Sequence, residues 1–370
     1  MIFVWVRLIR VPVSLLPLAL FIGLPVRCQD QSAAPKTAAQ QFKNIQVLKD
    51  IPVEQLVPTM QFISGSLGVD CEFCHVEHAM DKDDKEEKKT ARQMMTMQLA
   101  LNKNHFNNEI EVTCYSCHRG SPRPISTPVL STEPSRALDS DRKANIQFGN
   151  LPTVDGILDR YLAAVGGADA LHKIATRIQK GTIDAMGQQY PVEIYSEAPE
   201  KRVSISHPSF GESITAYNGQ AGWLSNPRGS HAMSAAEAAG ARVDAQLYLP
   251  ARIRELYKEF KVQPGETVDG HASYLVTAQG DGMPPLRLYF DQSNGLLLRL
   301  IRYAQTPLGR NPTQIDYSDY RDANGVKIPY QWTLTRTNGT FTIRIASVQQ
   351  NVPVDEKLFV MPPPAPAPQH

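Results

Sequence analysis

Two short segments of the chain combine residue types that could do chemistry together. The stretches DCEFCH (70–75) and VTCYSCHRG (112–120) each place two cysteines, with two residues between them, directly before a histidine. Four of the five cysteines lie in these two Cys-x-x-Cys-His groups. Paired thiols at this spacing can hold zinc, act as a redox dithiol or, when histidine follows, attach haem covalently. The residues of the groups decide between these three chemistries.

Haem attachment is the interpretation that uses every residue of both groups. A zinc site built from the four cysteines leaves His75 and His118 without a role. A redox dithiol is expected at a helix start in a thioredoxin-like βαβ unit, and no such pattern surrounds either group. In haem attachment the two thiols add to vinyl groups of the porphyrin, and the next residue is held under the iron as an axial ligand. The predicted attachment residues for two covalently bound haem c groups are Cys71, Cys74, Cys114 and Cys117.

Each iron then needs a sixth ligand, and methionines on the preceding helices are the candidates. Met60 is the candidate before the first group. Before the second group, Met94 and Met97 share a helix face with Leu101 by i, i+3, i+7 spacing, whereas Met95 points elsewhere. Spacing alone therefore leaves Met94 or Met97 for the second iron.

A repeated unit of helix, turn and haem site is predicted to position these residues. In the first copy the helix is expected over 52–63, ended by Gly65 and Gly68, and Pro58 implies a kink or a restart within it. In the second copy the helix is expected to begin in the acidic run at 81–84, because acidic residues at a helix start suit the helix dipole.

Residues 45–125 resemble the c-type cytochrome subunit of photosynthetic reaction centres. The resemblance rests on ARQMMTM (91–97), on VTCYSCHRG and on Met60 followed by SLGVDCEFCH (66–75). In that family the sixth ligand is a methionine on the helix before each haem site. The resemblance carries this role to Met60 and to Met94, with Met97, one turn further on, as the alternative.

The resemblance implies an electron carrier and not an enzyme, with redox proteins such as a membrane reaction centre or a respiratory complex as partners. The family carries four haems, whereas this sequence has two attachment groups. A family histidine that ligates a distant haem corresponds to positions near Asn107 and Asn108, and His105 is out of register with it. The predicted function is single-electron transfer through two haems with His and Met ligands.

The C-terminal region has the composition of β structure punctuated by turns. Four Asn-Gly pairs lie between strand-like runs and favour type I′ hairpins; they are at 218–219, 294–295, 324–325 and 338–339. Helical patterns occur at 155–167 and 245–260. This rhythm resembles the LolA/LolB-like lipoprotein-carrier superfamily, whose members fold as curved antiparallel half-barrels and in some cases bind acyl chains. The expected fold class is α+β, a small helical dihaem domain followed by a half-barrel that is a candidate site for a lipid.

The N-terminus has the pattern of an export signal. Arg7 and Arg10 precede an apolar run at 11–26, which is shorter than the roughly 20 residues of a membrane-spanning helix. We expect cleavage near Cys28, which is also a candidate for a lipid anchor, and a periplasmic or other extracytoplasmic location. The net charge of +1 gives no global field that would attract nucleic acid.

The sequence predicts an order of segments and leaves two alternative functions open. The predicted segments are a signal peptide (1–28), a polar spacer (29–42), a dihaem cytochrome domain (43–125), a linker rich in proline and serine (126–148), a LolA-like half-barrel (149–362) and a proline-rich tail (363–370). The alternative functions are a periplasmic lipid- or lipoprotein-binding carrier with an accessory haem domain, and a zinc- or thiol-based Cys-x-x-Cys module.

Overall fold

The computed structural model describes residues 36–124 and 151–362, except residues 186, 228 and 338. The predicted signal peptide with Cys28, the first half of the polar spacer (29–35), the linker and the tail lie outside the described residues. Within the described ranges, no helix combines the length and the apolar character needed to cross a membrane.

Residues 36–124 form a helical region. Its helices are α1 (Ala38–Gln41), α2 (Val53–Leu67), α3 (Glu86–His105) and α4 (Cys114–His118), with a 3₁₀ turn at Cys71–Phe73. Each Cys-x-x-Cys-His group thus begins a short helical turn that follows a longer helix, which is the layout that the sequence predicts for both copies.

The second helix is longer than its sequence indicated. α2 continues through Pro58 and Gly65 and ends at Gly68, whose φ of 68° lies in the left-handed region that glycine adopts without strain. Gly65 lies inside the helix and does not end it. Its missing side chain allows α2 to pack closely against Thr337. A Cβ on Gly65 would lie 2.7 Å from Cγ2 of Thr337.

Residues 151–362 carry the remaining helices and all described strands. The helices are α5 (Val154–Ala164), α6 (Ala168–His172), α7 (Ala235–Asp244) and α8 (Leu249–Leu256), with a 3₁₀ turn at Glu356–Phe359. The strands are β1 (Thr176–Ala185), β2 (Gln188–Glu197), β3 (Lys201–Ser206), β4 (Ser213–Asn218), β5 (Gly222–Asn226), β6 (Gly229–Ala232), β7 (Glu259–Pro264), β8 (Ser273–Gln279), β9 (Leu286–Asp291), β10 (Leu297–Thr306), β11 (Gly309–Ala323), β12 (Val326–Arg336) and β13 (Gly339–Gln350).

These strands form one open antiparallel sheet. Its order is β6-β5-β4-β3-β2-β1-β13-β12-β11-β10-β9-β8-β7, so neighbours in space are neighbours in sequence except where β1 pairs with β13. The two edge strands, β6 and β7, do not pair with each other. The architecture is α+β with a large antiparallel sheet.

One Asn-Gly pair forms the type I′ hairpin that the sequence predicts, two others lie at hairpins without positive φ at the asparagine, and Asn338 of the fourth lies outside the described residues. Asn324 and Gly325 connect β11 to β12 with φ values of 51° and 82°, so both central residues have the positive φ that a type I′ turn requires. The pairs at 218–219 and 294–295 lie in longer connections between β4 and β5 and between β9 and β10.

The main core lies between the sheet and the helices that follow the linker. Leu158 of α5 and Leu288 of β9 are fully buried, and so is Tyr257 just after α8. Removing an apolar side chain of this size from water stabilises the fold by about 1.5–3 kcal/mol.

A smaller core joins the helical region to the sheet. Its buried members are Ala38, Leu48, Leu56, Phe62, Met95 and Leu308. Leu308 comes from the turn between β10 and β11 and has no solvent exposure. The next residue, Gly309, meets the ring of Phe62, since a Cβ there would lie 2.3 Å from Cζ of that ring. The hairpin tip of the sheet is therefore part of the interior of the helical region.

Candidate functional site

The first Cys-x-x-Cys-His group is held by an N-terminal cap and by backbone hydrogen bonds. Oδ1 of Asp70 accepts a hydrogen bond from the backbone N–H of Phe73 at 3.1 Å, which caps the turn that begins at Cys71. The backbone N–H of His75 donates to the carbonyl of Cys71 at 3.0 Å. The two cysteines and the histidine therefore share one rigid turn.

The ring of His75 is oriented by the loop that follows it. Its Nδ1 lies 2.9 Å from the carbonyl oxygen of Met80, and since a carbonyl only accepts, Nδ1–H is the donor. Nζ of Lys88 donates to the same carbonyl at 2.8 Å and to that of Lys82 at 2.6 Å, which fixes the loop. Nε2 of His75 therefore keeps its lone pair for a metal.

The second group is positioned by α3 through the loop at 106–113. Side-chain amides of Gln98 and Asn102 each donate to the carbonyl of Val112 at 2.7 Å. Oδ1 of Asn102 accepts from the backbone N–H of Val112 at 3.0 Å. Thr113 and Ser116 then form a capping box at the start of α4. The buried polar face of α3 thus places the chain for Cys114.

His118 repeats the arrangement of His75 with a different loop. Its Nδ1 lies 2.9 Å from the carbonyl oxygen of Ser121, so here too Nδ1–H donates to the backbone and Nε2 is free. The same loop touches the end of α2, where the N–H of Gly120 donates to the carbonyl of Ser66 at 2.8 Å. A Cβ on Gly68 would lie 2.3 Å from the carbonyl oxygen of Gly120, so this approach requires glycine.

An apolar cavity lies beside the first group. Its empty space is about 850 Å³, part of it open to solvent, and Cys71, Cys74 and His75 lie on its wall. Further lining residues on α2 are Leu56, Met60 and Ile63. The cavity therefore brings Met60, the predicted sixth ligand, together with His75, the predicted fifth. Thioether, imidazole and two thiols on an apolar wall are a donor set that fits haem.

The burial of the three methionines of α3 differs from what their spacing predicted. Met95 is buried at 9% exposure and lines the cavity of the first group. Met94 and Met97, the candidates for the second iron, are 39% and 54% exposed. The i, i+3, i+7 pattern identified a shared face but not which face is covered by protein. The burial of Met95 was missed because it depends on contacts with α2.

Exposed apolar side chains are concentrated in the helical region. Nine of the twelve large apolar side chains that are exposed among the described residues belong to it: Phe42, Val57, Phe73, Met80, Met94, Met97, Phe106, Ile110 and Tyr115. Two of these side chains, Phe73 and Tyr115, lie within the Cys-x-x-Cys-His groups themselves, where a bound apolar cofactor would cover them.

One thiol of each group has a raised pKa. Burial raises the pKa of the Cys74 thiol, and the carboxylate of Glu87 raises it further. Burial also raises the pKa of the Cys114 thiol. Redox-active and zinc-binding cysteines need the thiolate, which a lowered pKa favours. In the described part of the chain, no three His, Cys, Asp or Glu side chains lie together as a metal-ion site.

Charged groups at the start of α3 fix the loop that holds His75. Oδ1 of Asp83 lies 2.9 Å from Nη2 of Arg92 and 3.2 Å from Nζ of Lys88. Hydrogen bonds from Arg92 and Asn44 hold the pKa of the Asp83 carboxyl well below its usual range. The acidic run at 81–84 therefore precedes the helix, contrary to the expectation, and α3 begins at Glu86.

A family comparison covers the stretch of the chain that contains both Cys-x-x-Cys-His groups. The sequence model described as "Photosynthetic reaction centre cytochrome C subunit" matches residues 23–157, which confirms the resemblance predicted for 45–125. The photosynthetic reaction center cytochrome c subunit of Thermochromatium tepidum is 37% identical over 99 residues, which are 25% of this chain and 24% of that protein. That of Rubrivivax gelatinosus is 33% identical over 93 residues, 24% of this chain and 25% of that protein. The chain thus spans about a quarter of the length of these relatives.

Solved structures similar to the chain are of the lipoprotein-carrier type. An outer membrane lipoprotein-sorting protein domain from Vibrio parahaemolyticus is 12% identical and covers 55% of this chain and 94% of its own, with a TM-score of 0.41. A LolA superfamily protein from Nitrosomonas europaea is 13% identical and covers 57% of this chain and 98% of its own, with a TM-score of 0.39. At such TM-scores no inference about function follows from the likeness.

Proposed function

We propose that this chain is an exported dihaem c-type cytochrome that carries single electrons and does not catalyse a reaction of its own. The observation that carries the proposal is the shared clamp on His75 and His118. In both groups Nδ1–H donates to a backbone carbonyl at 2.9 Å, so that Nε2 of each ring is available to an iron. The match of residues 23–157 to the cytochrome family supports it.

The residues of each group have distinct roles in this proposal. The thiols of Cys71 and Cys74, and those of Cys114 and Cys117, each add S–H across a vinyl double bond and so form a thioether link. His75 and Met60 ligate the first iron, and His118 and Met94 the second, with Met97 as the alternative. Haem, when bound, supplies an iron that takes up and releases one electron. Methionine opposite histidine raises the potential at which it does so.

Counting haems tests the proposal. We expect a pyridine haemochrome assay on protein purified from an exporting host to give two c-type haems per chain. Cys114→Ser with Cys117→Ser should reduce this to one, with the first haem retained. Cys28→Ser is the matched control and should leave two, because Cys28 lies outside both groups.

Each other result of the assay decides against the proposal. A protein without haem that binds stoichiometric zinc would favour the zinc module. A protein with one haem in the wild type would leave one of the two groups without its proposed role.

The proposal extends to location and partners. The basic residues before the apolar run at 11–26 support export, and we propose a periplasmic or other extracytoplasmic location. The partners would be redox proteins, a membrane reaction centre or a respiratory complex. Fractionation of cells into cytoplasm, periplasm and membrane tests the location, and haem staining in the cytoplasmic fraction alone would contradict it.

A second candidate function is the binding of a lipid by the C-terminal region. The observation that favours it is a cavity of about 1530 Å³, part of it open to solvent, between the sheet and α7. In that case the haem region would be an accessory to a lipid or lipoprotein carrier. Extraction of the protein with bound lipid would support this candidate.

A further inference from the structure

The cavity of the C-terminal region has an apolar wall and a cationic one. Side chains of β11, β12 and β13 form the mostly apolar wall, among them Ile315, Trp332 and Ile343, with Arg336 as its charged residue. The other wall consists of β1, β3 and β4 and carries Arg177, Arg202 and a group of serine and threonine hydroxyls. A cavity with these two walls fits a molecule that is both apolar and anionic.

Arg177 has buried hydrogen-bond donors that the described part of the protein leaves without an acceptor. Its Nε and Nη2 atoms are buried and have no hydrogen-bond partner. Burial, together with the positive charge of Arg202, lowers the pKa of Arg177 to about 10. An unpaired charge in such a place destabilises the fold relative to a paired one. Buried polar atoms nearly always have a hydrogen-bond partner, and a partner for a guanidinium group is best an anion.

The register of the sheet explains why the two arginines point to the same face. Ser196 of β2 pairs with Arg177 of β1 on one side and with Arg202 of β3 on the other. Residues in one cross-strand row point to the same face, so both guanidinium groups are directed into the cavity. Arg202 lies 5.9 Å from the ring centroid of Trp332 and donates to the backbone carbonyl of Asp244 at 3.2 Å.

The positive charge of the cavity is not balanced by protein. The charged lining residues are Arg177, Arg202, Arg336 and Asp244. Both carboxylate oxygens of Asp244 are engaged by Arg302, at 2.8 Å and 3.3 Å. Among the described residues, no carboxylate forms an ion pair with Arg177 or Arg202.

We propose that this cavity binds an anionic amphiphile, with its carboxylate or phosphate on Arg177 and its apolar chain along the wall that includes Trp332. The inference refines the second candidate function and is independent of the haem sites. The chain's contribution is a charge-assisted hydrogen bond from Nε and Nη2 of Arg177, together with an apolar surface for the tail. The unpaired guanidinium of Arg177 requires an anionic head group on the ligand, whereas a purely apolar cavity would not.

Titration of the full haem-loaded chain with three probes tests the inference. Dodecanoate combines head and tail, dodecanol has the tail alone and inorganic phosphate has an anion alone. We expect dodecanoate to bind about tenfold or more tightly than either of the others, as charge-assisted hydrogen bonds in a buried site suggest. In Arg177→Gln the affinity for dodecanoate should fall by about tenfold or more, and that for dodecanol should stay within about twofold.

A matched variant and a stability measurement complete the test. Arg287 of β9 also has a buried Nε without a partner but does not line the cavity, so Arg287→Gln should leave all three affinities unchanged. The ligand-free Arg177→Gln protein should melt at the same or a higher temperature, because an unpaired buried charge is removed. A lower melting temperature together with the affinity loss would assign Arg177 a structural role and overturn the inference.

The remaining outcomes separate the inference from the function on which it rests. Equal affinities for dodecanoate and dodecanol would sustain lipid binding and overturn the anionic head. Equal affinities for phosphate and dodecanoate would show a site for a free anion and overturn the amphiphile. No binding of either chain-bearing probe would end both the inference and the second candidate function.

Discussion

His75 and His118 are held in the same way by unrelated loops. The carbonyl of Met80, five residues later, fixes the first ring, and the carbonyl of Ser121, three residues later, fixes the second. A backbone carbonyl orients the ring and fixes its tautomer without adding a charge to the site. At the residue scale the two sites are therefore alike on the histidine side and differ on the methionine side.

The methionine side gives a prediction for individual residues. We expect Met60→Leu to remove the red absorption band of a methionine–ferric iron bond for one haem, and Met94→Leu to remove it for the other. Each variant should also lower the potential of its haem, because the thioether favours ferrous iron. Met361→Leu is the control, since Met361 is 37% exposed, close to the 39% of Met94, and lies outside the helical region.

Optical spectra and a redox titration of each variant check this prediction. If Met97→Leu removes the second band and Met94→Leu does not, Met97 and not Met94 is the ligand of the second iron. Retention of both bands in Met60→Leu would contradict the assignment of the first site.

Residues that act locally could be predicted, and residues that act through distant contacts could not. The Cys-x-x-Cys-His groups suggest a chemistry within five positions, and the structure places each group at a short helical turn after a longer helix, as their sequence predicts. Asp83 was expected inside the helix start, but it pairs with Lys88 and Arg92 from outside the helix. Those partners lie five and nine positions away, beyond the i, i+4 spacing on which sequence reasoning depends.

At the scale of elements, the hairpin between β10 and β11 has two roles. It continues the meander of the sheet, and its tip supplies Leu308 to the core formed by α1, α2 and α3. Strand rhythm and Asn-Gly turns predicted the meander, because both are local patterns. The insertion of the tip could not be predicted, since a leucine in a turn has no sequence signature that names its distant neighbours.

Leu308→Ala tests this role of the hairpin. We expect the free energy of unfolding to fall by about 2–5 kcal/mol, the range for truncating a buried leucine to alanine and leaving a cavity. Because the cavity opens next to Phe62, amide hydrogens of α2 should exchange faster while those of β8 and β9 keep their protection. Denaturant unfolding and hydrogen exchange measure the two effects.

An exposed position provides the control for Leu308. Val360→Ala, at a side chain that is 65% exposed, should change the free energy of unfolding by less than about 0.5 kcal/mol. Unchanged exchange in α2 of the Leu308→Ala protein would contradict the packing described for the hairpin tip.

At the scale of the whole molecule, the two described ranges differ in how they are stabilised. The C-terminal region has a large core between sheet and helices, whereas the helical region contributes five buried apolar residues to its cluster, and the hairpin tip adds Leu308. The helical region therefore has little apolar burial to offset the entropy cost of ordering its backbone. Covalent haem would supply the missing apolar surface.

Replacing all four attachment cysteines with alanine tests this dependence. We expect the protein without haem to lose the protection of α2, α3 and α4 against hydrogen exchange, while the sheet from β1 to β13 stays protected. Far-ultraviolet circular dichroism should show a loss of helix and not of strand. Cys28→Ala in the same host is the control. Native-like protection of α3 in the quadruple variant would show that the helical region folds without haem.

Leu308 also bears on how such a chain could change over generations. If the segment that encodes the helical region were exchanged for that of a relative, Leu308 would pack against different side chains. If the segment were lost, Leu308 would be exposed to water. Substitutions at Phe62, Gly65, Leu308 and Gly309 are therefore expected to accompany one another among descendants, as a record that both halves were inherited together.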